Sequence, residues 1–125
     1  MTQQQTKVLL VDDEEMNVLI LKRRLLRKGF IIAQACDGLD AIDCIRERGQ
    51  PDLVLMDLMM PRMDGWEATR MIKKSHPDVK VIAVSAKVDE DCDLEAKGFD
   101  AFCAKPINFQ KLALAIERTL ESLVA

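Results

Sequence analysis

The chain lacks most of what would mark a specialised class of protein. It has one histidine and four cysteines in 125 residues, the cysteines scattered at positions 36, 44, 92 and 103. No C-x-x-C pair and no second histidine stands near them, so a structural zinc site and a dithiol redox motif are both disfavoured. Cys36, Cys44, Cys92 and Cys103 read as small buried hydrophobes in a reducing compartment. His76 directly precedes Pro77, where a helix should stop, and reads as a helix-end residue rather than a ligand. Positive charge is not in excess: Lys and Arg number 18 against 21 Asp and Glu, a net charge of −3. A protein held to nucleic acid by bulk electrostatics would be basic, so direct nucleic-acid binding is not expected. No apolar run approaches the roughly 18 residues of a membrane span, so no membrane insertion is expected. The opening Met1-Thr2-Gln3-Gln4-Gln5-Thr6 lacks the charged and apolar regions of a signal peptide. It predicts a cytoplasmic protein with a short polar tail over residues 1–6. Linkers, repeats and low-complexity segments are missing too, so residues 7–124 should form one domain.

What the chain does have is core material, with 49% of its residues apolar. That suffices for a real core without metal or disulfide staples. Short aliphatic runs alternate with longer helical patterns, the signature of βα units around a parallel sheet. Val8–Val11, Leu53–Met56 and Val81–Val84 are continuous and aliphatic, as strands covered on both faces should be. Phe30–Ala35 and Ala101–Ala104 are weaker strand candidates. Helices are predicted from about Glu14 to Lys28 with Gly29 as the stop, from an Asp37 cap to about Glu47, and from an Asp64 cap to about Ser75. Asp89–Lys97, acidic and poor in core anchors, predicts a short, weakly held fourth helix. Phe109, Leu112, Ala113, Ile116, Leu120 and Leu123 recur at helical spacing behind Asn108, a good cap, and predict a final helix over 108–123. Five strands and five helices make a (βα)5 domain, a doubly wound α/β fold with helices on both faces of the sheet.

Sites in such folds form at the carboxyl ends of the strands. The first strand ends in Asp12-Asp13-Glu14-Glu15, the third in Asp57, the fourth in Ser85-Ala86 and the fifth in Lys105-Pro106. Carboxylates gathered a few ångströms apart raise one another's pKa unless something neutralises them. Mg2+ suits one or two direct carboxylates, a backbone carbonyl and several retained waters. Lys105 adds a positive charge and Ser85 a hydroxyl, and a cation with a phosphoryl group accounts for this set better than a salt-bridge cluster does. A carboxylate can itself attack phosphorus and form an aspartyl phosphate, a transfer that needs chiefly positioning and charge neutralisation. Asp57, alone at the end of a central strand, is the best nucleophile. Carboxylates at strand ends can also merely cap the next helix, and that is the reading for Asp64.

The strings Val11-Asp12-Asp13-Glu14, Leu55-Met56-Asp57-Leu58-Met59-Met60-Pro61-Arg62-Met63-Asp64-Gly65, Val84-Ser85-Ala86 and Ala104-Lys105-Pro106, in this order across nearly the whole chain, resemble the response-regulator receiver domain of two-component signalling. The resemblance implies the strand order 2-1-3-4-5. It implies that Asp57 accepts a phosphoryl group, in a Mg2+-dependent step, from the phosphohistidine of a sensor histidine kinase or a phosphotransfer protein. Asp13, Asp57 and the backbone carbonyl of Met59 would bind Mg2+ (or Mn2+ in its place) directly, and Asp12 through water. Ser85 would bond the phosphoryl group and Lys105 would pair with it. Phe102 matches an aromatic switch residue that turns inward when Ser85 moves, and Lys105-Pro106 would be a cis peptide. The face from the fourth helix through the fifth strand to the last helix would then signal to a downstream protein. Such a protein is no conventional enzyme: it catalyses its own phosphorylation and a slow autodephosphorylation, as a monomer or a phosphorylation-dependent dimer.

Met59, Ala86 and Lys87 line the expected approach to the phosphoryl group. Met59 cannot orient a hydrolytic water and Lys87 can shield a phosphoryl oxygen, which predicts a long-lived phosphorylated state. Trp66 reads as a packing residue and a usable reporter. The basic run Lys22–Lys28 reads as a solvated helix face suited to the C-terminal dipole. The acidic Asp89–Asp93 divides evenly between steering a basic target and a plain exposed turn. Competing readings are a phosphate-independent receiver-like scaffold and a flavodoxin-like FMN protein, the latter weakened by four acids where a phosphate loop should be. A haloacid-dehalogenase-like phosphatase would want an aspartate two residues after the first, and Asp57 is followed by Leu58 and Met59. No output domain is expected after the final helix, which leaves signalling by protein binding or relay, while the Asp13-Glu14-Glu15-Met16-Asn17 run also resembles receivers of hybrid kinases.

Overall fold

Strand, helix, strand follow one another along the chain in a computed structural model that describes residues 6–60, 62–86 and 97–124. The elements are β1 (Lys7–Val11), α1 (Glu15–Arg27), β2 (Ile31–Ala35), α2 (Gly38–Arg48), β3 (Leu53–Asp57), α3 (Gly65–Ser75), β4 (Lys80–Ser85), β5 (Ala101–Ala104) and α4 (Phe109–Val124). The strands make one parallel sheet in the order β2-β1-β3-β4-β5. The fourth predicted helix, except its last residue Lys97, lies outside the described residues, as do Cys92 and Lys87.

Successive strand side chains point to opposite faces, and both faces are apolar here, so both must be covered. Leu9, Val11, Val54, Met56, Val81 and Ala83 pack with Ala41 and Ile45 of α2 and with Ala68 and Ile72 of α3. On the other face Val8, Leu10, Leu53, Leu55, Ile82 and Val84 pack with Val18, Leu21 and Leu25 of α1 and with Leu112 and Ile116 of α4. Each such aliphatic side chain contributes roughly 1.5–3 kcal/mol on burial.

The helix starts follow from local chemistry. Asp37 accepts from the Asp40 N–H, Asp64 from the Glu67 N–H, and Asn108 from the N–H groups of Gln110 and Lys111. Each cap satisfies a donor that the helix leaves orphaned, worth about 1 kcal/mol. Gly29, at φ 93, follows α1 as its stop, and His76 closes α3 by donating its N–H to Ile72 O. Arg23, Arg24, Arg27 and Lys28 are exposed, with the Arg24 guanidinium 4.1 Å above the Phe109 ring.

β3 ends in Asp57, as expected, and Asp57 pairs in register with Val84, so the candidate nucleophile is the last member of the strand ladder. Two expectations need correction. β2 begins at Ile31; Phe30 precedes it, is 7% exposed, and donates its N–H to Leu25 O as it enters the core. Cys36 is exposed, because it sits in the loop that leaves β2 ahead of the Asp37 cap, whereas Cys103 is buried and Cys44 half-buried.

Candidate functional site

Parallel register brings four strand ends to one edge. Val11 pairs with Met56, Asp57 with Val84, and Ser85 with Ala104. Asp12 therefore leaves β1 beside the end of β3, and Lys105 follows β5 beside the end of β4. The Lys105 N–H donates to Ser85 O at 3.0 Å, which fixes the lysine's backbone to the strand that ends in Ser85. The Lys105–Pro106 bond is cis.

One carboxylate oxygen from each of Asp12, Asp13 and Asp57 lies within 4.8 Å of the other two. Asp12 and Asp57 are buried, at 7% and 4% exposure, and Asp13 is exposed. Lys105 Nζ reaches Asp12 Oδ2 at 3.2 Å, Asp57 Oδ2 at 3.5 Å and Glu14 Oε1 at 3.9 Å. Two backbone donors aim the acids: Glu14 N–H to Asp12 Oδ1 at 2.9 Å, and Met59 N–H to Asp57 Oδ1 at 3.3 Å. Burial, then the Asp12 charge, pushes the Asp57 carboxyl up from 3.8 to about 6, against the opposing pull of Lys105. Burial pulls Lys105 down, yet Asp12, Asp57 and Glu14 outweigh it and hold the ammonium above its usual range.

Among the described residues one ammonium stands among four carboxylates, which leaves an excess of negative charge at the pocket. Hard oxygen donors, crowded and partly dehydrated, with an exposed member open to solvent, suit Mg2+ with its retained waters. The cleft of about 520 Å³ beside Asp12 and Asp13 carries Glu15 and Asp40 as well, with Lys22 the only cation among the described residues that line it. That lining repels an anion presented without a metal, which weighs against a flavin phosphate site.

The remaining expected residues divide. Ser85 is buried at the end of β4 and Ala86 is exposed just beyond it. The Met59 side chain is 73% exposed, and Phe102, on the edge strand β5, is 38% exposed. Lys87 lies outside the described residues. Trp66 packs edge-on against Phe99, centroids 5.3 Å apart, with Lys97 Nζ 4.9 Å over its ring.

Three contacts at or near the site were not read from the sequence. Glu14 pairs with Lys105. Gly65 starts α3 so close to β3 that a Cβ there would collide with the Asp57 carbonyl oxygen and lie 2.9 Å from Leu58 Cα. Arg62 bonds to Asp37 across 25 residues. Only Gly65 had a signal, the glycine after a capping aspartate.

A family model described as the response regulator receiver domain matches residues 8–117. The sensor kinase CckA of Brucella abortus is 34% identical over 117 residues, covering 91% of this chain. The chain spans only 12% of that kinase's length. A two-component response regulator from Clostridium difficile superposes with a TM-score of 0.89 over 97% of this chain and 100% of its own, at 24% identity, a likeness of fold. The response regulator TrrA from Thermotoga maritima, solved in complex with Mg2+-BeF, is 30% identical with a TM-score of 0.83, covering 92% of this chain and 99% of its own. With its acidic pocket of Asp12, Asp13 and Asp57 at the carboxyl edge of a 2-1-3-4-5 sheet, the chain belongs to the response regulator receiver domain family.

Proposed function

We propose that this receiver accepts a phosphoryl group on Asp57 from the phosphohistidine of a histidine kinase or phosphotransfer protein, and signals by changing the surface it offers to a downstream protein. The observation that carries the proposal is the cluster itself: three carboxylate oxygens within 4.8 Å, with an ammonium 3.5 Å from the one at the end of β3. Asp13, Asp57 and the Met59 carbonyl would hold Mg2+, with Asp12 acting through water. Bound there, Mg2+ neutralises charge on the transferring group.

The chain's own residues do the rest. An Asp57 oxygen attacks phosphorus, the P–N bond to the donor imidazole breaks, and the imidazole nitrogen keeps the electron pair and takes up a proton. Lys105 keeps Asp57 from protonating more readily still, and it pairs with the phosphoryl oxygens once they arrive. Ser85 donates its hydroxyl to the same group. Phe102, on the same edge strand that leads to Lys105, passes the change to the face formed by β5 and α4, with the preceding segment as the remainder of that face.

Incubation with Mg2+ and acetyl phosphate, followed by intact mass, should add one phosphoryl group to the parent protein and none to Asp57→Asn. No gain in either, with Mg2+ binding confirmed, would favour a phosphate-independent scaffold; gain in both would mean the wrong aspartate. Met59 and Lys87 set the lifetime of the phosphorylated state. Replacing both with small polar residues should speed phosphoryl loss in a decay followed by mass, and an unchanged decay would remove them from that role.

A further inference from the structure

The turn after Asp57 is tied to α2 by residues that the phosphoacceptor chemistry does not use. Arg62 sits at φ 64, in the left-handed region that residues with a Cβ rarely adopt. Its Nε donates to Asp37 Oδ2 at 2.6 Å, and the Asp37 side chain is 5% exposed while that of Arg62 is 58% exposed. The other Asp37 oxygen accepts from the Asp40 N–H at 2.9 Å, so the acid is already anchored as the α2 cap. One residue further along each segment, Gly38 N–H donates to Met63 O at 3.2 Å, and a Cβ on Gly38 would lie 2.7 Å from that oxygen. On its inner side the turn is held by Gly65 N–H to Leu58 O at 3.0 Å.

Glycine or asparagine would take this φ with less strain. An arginine there needs a fixed partner, and a buried, capping aspartate is one. The same turn carries Met59, whose N–H orients Asp57 Oδ1 and whose carbonyl is assigned to the cation. We propose that Asp37 and Arg62 are positioning residues for the cation site, their ion pair holding the described residues of the turn, 58–60 and 62–64, in the shape that serves it. This rests on the Mg2+ reading of the Asp12, Asp13 and Asp57 cluster. Groups that orient metal ligands from outside the coordination sphere typically alter affinity by about 10–100-fold when removed.

The test is a calorimetric Mg2+ titration of the parent, Arg62→Gly, Asp37→Asn and the double variant, with a thermal midpoint for each in metal-free buffer. Arg62→Gly relieves the strain at φ 64 but leaves the buried Asp37 carboxylate without its partner, opposing effects on the midpoint, while its Mg2+ dissociation constant should rise about tenfold. Asp37→Asn keeps an oxygen for the Asp40 N–H and loses the charge, so it should weaken Mg2+ by a similar factor. The double variant should be no weaker than either single one, because the two residues act as a unit. An unchanged Mg2+ affinity in Arg62→Gly, whatever its midpoint, assigns the pair to stability alone and overturns the proposal while the metal site stands. A parent that binds no Mg2+ overturns both.

Discussion

At Asp57 two effects act in one direction. Removal from water and the neighbouring Asp12 carboxylate both disfavour the charged form, and Lys105 opposes them only in part, which leaves the carboxyl at about 6. A folded-state pKa above the unfolded 3.8 means that the folded protein binds the proton more tightly. The stabilisation is full below about pH 4 and is lost as pH rises through about 6. In metal-free buffer Asp57→Asn should abolish that loss. The variant should be about 1–2 kcal/mol more stable than the parent near pH 7.5, less than the roughly 3 kcal/mol of the shift itself because water reaches the pocket mouth. Near pH 4 the two should differ little, and urea unfolding at both pH values checks it. Asp37 shows the opposite sign: its bond to Arg62 lowers its pKa, so its contribution is present above the ordinary carboxylate range and lost on acidification.

Among the elements, α3 is placed with the least room. Its cap, Asp64, is ordinary, but its first residue sits against the backbone of the strand that carries Asp57. No small adjustment relieves a methyl group there, because the nearest atom it meets, the Asp57 carbonyl oxygen, and Leu58 Cα are main chain, and only the third, Met56 Cγ, could move aside. Gly65→Ala should cost about 3 kcal/mol of stability or more and should slow phosphorylation from acetyl phosphate by displacing Asp57. Gly49→Ala is the control. It has open space around it and only its φ of 96 to object, so about 1 kcal/mol is expected with phosphorylation unchanged. Chemical unfolding of the two variants beside a phosphorylation time course separates the effects.

For the molecule as a whole, the acidic edge is a place where folding leaves repulsion uncompensated. Asp12 and Asp13 come from the end of β1 and Asp57 from β3, so a cation that binds only the folded arrangement ties the two together. Mg2+ at ten times its dissociation constant should stabilise the fold by about 1.4 kcal/mol, a rise in thermal midpoint of about 4–6 °C for a domain of this size. A chelator should reverse the rise and Asp13→Asn should abolish it, as scanning calorimetry would report. Among the described residues no helix is long and apolar enough to cross a membrane.

Much of this protein is local and therefore legible in its sequence. Aliphatic runs such as Val81–Val84 announce strands covered on both faces, and Asp37, Asp64 and Asn108 announce helix starts, because periodicity and capping act within a few residues. The gathering of Asp12, Asp13, Asp57 and Lys105 is legible one step further on, since a parallel sheet leaves its carboxyl ends at one edge. Tertiary structure alone decided the rest. Whether Lys105 meets Asp12, Asp57 or Glu14 depends on strand register and burial, which no spacing in the chain encodes. The exposure of Cys36 depends on where the β2 loop emerges. The bond between Asp37 and Arg62 and the close approach of Gly65 to the backbone at Asp57 arise where separate βα units are packed within a few ångströms of one another. Short-range preferences choose the elements; only close packing between elements chooses which side chains meet.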